Sequence, residues 1–224
     1  MHIQPQHAWN IRPEEAIALQ KQMASAAVYD LPLDMKRVKL VAGVDVSVQS
    51  DDGQAMSQGA VVVLNFPDLQ LVEVARARMP TPFPYIPGLL SFREGPVLEQ
   101  AFAQLRHEPD VFIFDGMGRA HPRRIGIATH MGLWLQKPTI GCGKTLLVGA
   151  YSEPAHDKGS AADLVDRGEV IGKIVRTRAG VKPVYISPGH LIDLQSAVEL
   201  VLRCTTRYRL PEPIRHAHNA ASSA

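Results

Sequence analysis

One run of residues restricts this chain more than any other: Val111-Phe-Ile-Phe-Asp115-Gly-Met-Gly118-Arg-Ala-His121-Pro-Arg-Arg124-Ile-Gly126. Four consecutive apolar residues read as a strand buried on both faces, where the alternation of a half-exposed strand is lost. The run stops at a carboxylate followed by Gly-Met-Gly, which a strand interior disfavours. An acid at the carboxyl end of a central strand stands where open α/β sheets place their ligands. Gly116 and Gly118 let the backbone approach whatever Asp115 touches. Arg119, His121, Arg123 and Arg124 then supply a density of cations suited to phosphate. The plainer alternative is an Asp that caps the next helix, with Pro122 in its first turn. A cap needs neither the glycines nor the cations.

Such a strand requires a sheet and a core around it. With 224 residues, 46% of them hydrophobic and 21% charged, the chain suits one large globular domain. A formal charge of +2 does not point to nucleic acid by itself, so such a partner has to be argued from local clusters. The two cysteines, Cys142 and Cys204, lack metal-type spacing and fit a reduced intracellular compartment. The first residues lack the basic-then-apolar pattern of a signal peptide, and no apolar run approaches the ~18 residues of a membrane span. The expectation is a soluble cytoplasmic protein that uses no membrane, one domain over residues 1–224.

Upstream, the helical period of Ala16, Ile17, Leu19, Met23, Ala26 and Ala27 predicts a helix over Pro13–Tyr29 behind an acidic first turn. Lys39–Val48 is a mostly apolar β-rich run with Asp45 inside it. A carboxylate there asks for a metal, a basic partner or a strand end, unless it lies on a solvated face. Turns at 51–53 and 66–68 separate further strands over Ala60–Leu64 and Leu69–Val74, which makes an antiparallel meander. Helices are predicted over Val97–Leu105 and Ile125–Gln136, with a strand at 138–140 after them. Strands over Val170–Arg176 and Pro183–Ser187 follow a polar stretch, Tyr151–Asp166, read as a loop with some helix. Asp193 or Ser196 caps a last helix running to Leu202. The residues from about 214, His216 and His218 among them, read as a frayed, solvated tail.

Two further segments carry chemistry. Four prolines fall between positions 80 and 87, so this loop is stiff and extended. By presenting Tyr85 and Ile86 it is either a wedge, of the kind architectural DNA proteins insert between bases, or a rigid connector with Tyr85 in the core. Glu94, just before Pro96, is either a helix-entry carboxylate or a metal ligand turned toward the sheet. Gly143-Lys144-Thr145 is not a phosphate-binding P-loop, because the first glycine of that motif would fall on Pro138. Lys144 is left as a phosphate-facing cation or a surface lysine.

Asp45, Glu94 and Asp115 are the candidates for convergence on one site. Mg²⁺ prefers carboxylate and water oxygens, and such ions stabilise attacking and leaving oxygens in phosphodiester displacement. His121 or Lys144 nearby would orient water or offset developing charge.

Several blocks, taken together and in this order, closely resemble the endonuclease V family: Val-Ala-Gly-Val-Asp45-Val-Ser, Pro84-Tyr-Ile-Pro-Gly-Leu-Leu-Ser-Phe-Arg-Glu94, Asp115-Gly-Met-Gly-Arg-Ala-His121-Pro-Arg-Arg-Ile-Gly, Ile140-Gly-Cys-Gly-Lys144 and Tyr208-Arg-Leu-Pro-Glu-Pro. The resemblance runs from about Leu40 to Pro213. It implies a ribonuclease-H-like α/β fold: a central mixed sheet, its first three strands antiparallel, flanked by helices. It implies a DNA repair endonuclease that recognises deoxyinosine, the product of adenine deamination. Such an enzyme cuts the second phosphodiester bond 3′ to the lesion and leaves 3′-hydroxyl and 5′-phosphate ends. By the same resemblance Asp45 and Asp115 hold Mg²⁺, with Mn²⁺ as the alternative ion, and Glu94 supports them. His121 lies near the scissile phosphate and Lys144 adds positive charge there. Pro84, Tyr85, Ile86 and Pro87 form a strand-separating wedge. Leu90, Gly116, Gly118, Gly126, Ile127 and Leu147 wall the pocket for the flipped base. The partner is DNA containing deoxyinosine, bound by a monomer. Extruding a base costs a few kcal/mol, least for a mispaired one. There are two departures from the family pattern: Met117 stands where many members carry His, and Cys142-Gly143 where Val-Ala is common. Two other readings stay open: action on inosine-containing RNA, flaps or mismatches, and a non-catalytic binding module. The joint presence of Asp45, Glu94, Asp115, His121 and Lys144 argues against the module.

Overall fold

The computed structural model describes Met1 and residues 3–223. After helix α1 (Pro13–Met23), strands β1 (Leu40–Asp51), β2 (Gln54–Asn65) and β3 (Leu71–Pro80) form the expected antiparallel meander. Helix α2 (Leu90–Ala103) leads to β4 (Val111–Phe114), and α3 (Ile127–Leu135) to β5 (Thr139–Gly143). Strand β4 lies parallel to β1, and β5 parallel to β4. Strands β6 (Ala161–Asp166), β7 (Glu169–Val175) and β8 (Val184–His190) follow, then helices α4 (Leu194–Arg203) and α5 (Glu212–Ser222). One sheet results, in the order β3-β2-β1-β4-β5-β8-β7-β6.

Alternation along the strands decides which helix layer each side chain meets. On β1 and β4, Ala42, Val44, Phe112 and Phe114 pack with α2 and α3. Their neighbours Val41, Val111 and Ile113 pack with α4 and α5 on the opposite face. The expected continuous apolar run at 111–114 is therefore a strand covered on both sides. Helix α5 lies against the backbone of β1: a Cβ on Gly43 would sit 1.9 Å from the Pro213 carbonyl oxygen. By the same period of two, Asp45 points toward α5.

Several boundaries differ from the sequence reading. Helix α1 stops at Met23, where a helix to Tyr29 was expected. The β1–β2 hairpin extends past its apolar stretch, because Asp52 and Gly53 take positive φ (46° and 81°), the conformation that closes a two-residue hairpin. Helix α2 begins at Leu90, seven residues before the expected Val97, so Glu94 lies within it. Pro96 is an interior residue there, which forfeits one main-chain hydrogen bond, and not a helix-start signal. Residues 161–166 form a strand paired with β7 where a loop with some helix was expected. The tail from about 214 is not frayed. Ile214, Ala217, Ala220 and Ala221 bury one face of α5 on the sheet, and alanine favours helix more than any other residue.

Candidate active site

The register of β1 with β4 builds the acidic centre. Val44 pairs with Phe114, so the next residues, Asp45 and Asp115, are neighbours, and the Asp115 N–H donates to the Val44 carbonyl at 2.9 Å. Helix α5 then delivers His218, whose Nδ1 lies 2.8 Å from Asp45 Oδ2. One ligand atom each from Asp45, Asp115 and His218 fall within 4.8 Å of one another. His218, expected in a solvated tail, is indeed half-exposed, but it sits on a helix and faces Asp45. Lys144, just past β5, makes an ion pair with Asp115.

Lys144 only partly offsets the acids gathered here. Burial, then the charge of Asp115, raises the Asp45 pKa, while His218, Lys144 and the Val46 N–H oppose the shift. Burial, then Asp45 and Asp115, hold the Glu94 carboxyl well above its usual range. Glu94 thus feels both acids but stands outside the trio whose ligand atoms converge. Two carboxylates and an imidazole at this spacing, with a third acid nearby, are a donor set that fits a divalent cation.

Beside Asp115 opens a cavity of about 450 Å³, within the range of small-molecule sites. Tyr85, Ile86, Pro87, Leu90, Gly116, His121, Gly126, Ile127, Lys144 and Leu147 line it. Pro84 and Gly118 do not. The Gly118 N–H donates to Ser187 Oγ and its carbonyl accepts from the Gly126 N–H. A Cβ on Gly118 would stand 2.3 Å from the Pro188 carbonyl oxygen, so this glycine answers to close packing and not to a ligand. The proline-rich loop is fastened by buried Phe83 and Leu89, and between them Tyr85 is 69% exposed, which excludes the core alternative. Leu146 and Leu147, 44% and 41% exposed, add apolar surface to the same cavity.

The two departures from the family pattern form one packing unit. A Cβ on residue 143 would lie 2.5 Å from Met117 Cε, so Gly143 makes room for the methionine, which is only 8% exposed. His121 is also fixed. Its Nδ1 accepts the Arg123 N–H at 3.2 Å, and its Nε2 donates to the Gly88 carbonyl at 3.0 Å. Burial, then the charge of Arg123, bring its pKa to about 4, so the ring is neutral near pH 7. Sequence reasoning set His218 aside, gave Met117 no contact, and passed over Gln20, which also borders the cavity. Gln20 did leave a signal: it falls one helical turn after Ala16 on the buried stripe of α1.

A meander continued by a parallel strand, with acids inside its first strand and at the end of the fourth, defines a ribonuclease-H-like α/β protein with an acidic cation site. The Endonuclease V family profile matches residues 21–219. An Endonuclease V from Gloeobacter violaceus is 52% identical over 95% of this chain and 86% of its own length. The crystal structure of the Bacillus subtilis Endonuclease V superposes with a TM-score of 0.95 at 31% identity, covering 99% of this chain and 95% of that one. A Ciona intestinalis Endonuclease V, solved with a 24mer DNA containing an inosine followed by a ribo-adenosine, superposes with a TM-score of 0.81 at 28% identity, covering 93% and 95%. This chain belongs to the Endonuclease V family.

Proposed function

We propose that this chain is a metal-dependent endonuclease that recognises deoxyinosine in DNA and cuts the second phosphodiester bond on its 3′ side. The observation that carries this reading is the convergence of Asp45, Asp115 and His218 beside a cavity bordered by an exposed, proline-stiffened loop. Asp45, Asp115 and His218 hold a Mg²⁺ ion, with Mn²⁺ as the alternative, and Glu94 supports them from α2. When bound, the cation supplies Lewis-acid stabilisation of charge on the reacting phosphate and lowers the pKa of water. Lys144 adds a fixed positive charge beside Asp115 where the phosphate is held. Water adds to phosphorus and the P–O3′ bond breaks, leaving a 3′-hydroxyl and a 5′-phosphate. Pro84, Tyr85, Ile86 and Pro87 enter the duplex, and the base turns into the cavity, where Gly116 offers backbone in place of a side chain. Leu90, Gly126, Ile127 and Leu147 wall the base. His121, neutral and buried, fixes the neighbouring loop. The protein acts in the cytoplasm as a monomer over one domain, and no described helix is long and apolar enough to cross a membrane.

A second reading, inosine-containing RNA, is favoured by one observation: a ribonucleotide follows the inosine in the Ciona complex. Cleavage of matched end-labelled DNA and RNA strands, each with one inosine, with Mg²⁺ or with EDTA, tests both. A Mg²⁺-dependent cut in the DNA supports the proposal. Cutting confined to RNA moves the substrate, and cutting that persists in EDTA removes the metal site.

A further inference from the structure

The loop that carries Tyr85 and Ile86 ends at Gly88, and the Gly88 carbonyl oxygen receives three donors. Gln20 Nε2 reaches it at 3.0 Å, His121 Nε2 at 3.0 Å and an Arg123 Nη2 at 2.8 Å. Arg123 Nε also donates to Gln20 Oε1 at 2.6 Å, which closes a ring of Gln20, Arg123 and Gly88. Gln20, from α1, is 1% exposed and reaches the edge of the cavity. Its orientation is settled by its partners, since a guanidinium only donates and a carbonyl only accepts. Among the described residues no carboxylate lies within 4.0 Å of the Arg123 guanidinium, so that charge is directed at Gly88 and Gln20. Gly88 has φ +81°, and a Cβ there would meet Arg123 Nη2 at 2.7 Å. A carbonyl with two lone pairs does not need three donors merely to be satisfied.

We propose that Gln20 is a positioning residue: with Arg123 it clamps Gly88 and so holds the Tyr85–Ile86 tip in place before nucleic acid binds. This rests on the wedge role given above. A loop already ordered loses less entropy when it enters a duplex. The clamp therefore matters most where two strands must be parted, and little where the inosine lies in a single strand.

Gln20→Met keeps the shape and removes both hydrogen bonds, while Gln20→Glu keeps the acceptor for Arg123 and sets a second acceptor against Gly88. Each variant is compared with the wild type on one deoxyinosine placed in a duplex and in a single strand. The expected result is about a tenfold slower cut in the duplex, the scale of a lost buried hydrogen bond, with single-strand cutting within about twofold. An equal loss on both substrates, or none on either, overturns the proposal. Amide hydrogen exchange of residues 81–89 in the free proteins gives a readout independent of activity. Exchange about tenfold faster in Gln20→Met supports the clamp, and unchanged exchange refutes it. If Gln20→Met does not fold, Arg123→Gln carries the same comparisons. A wild-type protein that cuts neither inosine substrate refutes the proposed function instead, and the exchange measurement still judges the clamp.

Discussion

Gly43→Ala tests whether α5 belongs to the active site. Gly43 lies between Val41 and Asp45 on the strand face that α5 covers. The added Cβ would stand 1.9 Å from the Pro213 oxygen and 2.1 Å from its carbon, both main-chain atoms that cannot rotate away. Ordinary contact begins near 3.4 Å, so the start of α5 has to retreat by about 1.5 Å. Overpacking of this kind costs ~1–3 kcal/mol. In a chain of this length the melting temperature then falls by on the order of 5 °C. Activity falls further than stability, because His218 rides on the same helix and the shift carries its Nδ1 beyond reach of Asp45, now 2.8 Å away. Nicking of an inosine duplex, measured well below the variant's melting temperature, is expected to slow ~10-fold and to need more Mg²⁺. A wild-type melting temperature would mean that α5 does not press on Gly43. A lowered melting temperature with unaltered nicking and metal requirement would mean that α5 stabilises the sheet and contributes nothing to the site.

Three further perturbations separate the parts of the site and the fold. His218→Ala is expected to raise the Mg²⁺ concentration for half-maximal nicking ~10–100-fold; a metal titration that superimposes on the wild type removes His218 from the ligand set. Tyr85→Ala is expected to weaken binding of inosine duplex by ~1–3 kcal/mol, the scale of base–aromatic stacking; unchanged affinity and unchanged preference over undamaged DNA would deny the wedge. Glu73 supplies a pH test away from the centre. Burial would raise its pKa, but hydrogen bonds from the Arg106 and His107 main chain and side chains pull it from 4.5 to about 2. Its contribution is therefore full above about pH 4.5 and disappears as the pH falls toward 2. Glu73→Gln should flatten the acid limb of stability against pH, and an acid limb identical to the wild type would contradict this.

The acids were legible because each broke an apolar run, and charge in such a run needs a reason. Their meeting was not. It depends on pairing β1 with β4 in one register, which no local pattern encodes. Helix α2 was misplaced because Pro96 carries the signal of a helix start while serving as an interior residue. His218 was hidden by its surroundings: alanines and polar residues look like a tail, yet those alanines are what let α5 lie close to β1. Gly118 looked like a ligand-facing glycine because a need for close backbone approach leaves the same mark whether the neighbour is a base or Pro188. Met117 and Gly143 looked like two unrelated departures and are one contact.

The most direct test maps the cut at nucleotide resolution on an end-labelled duplex with a single deoxyinosine, for the wild type and for Asp115→Asn, with Mg²⁺ present. The paired-acid site predicts one wild-type product, ending one nucleotide beyond the inosine on its 3′ side, and none from Asp115→Asn although that variant still shifts the duplex in a gel. Cutting by Asp115→Asn at the wild-type rate, or wild-type cutting indifferent to the inosine, would contradict it.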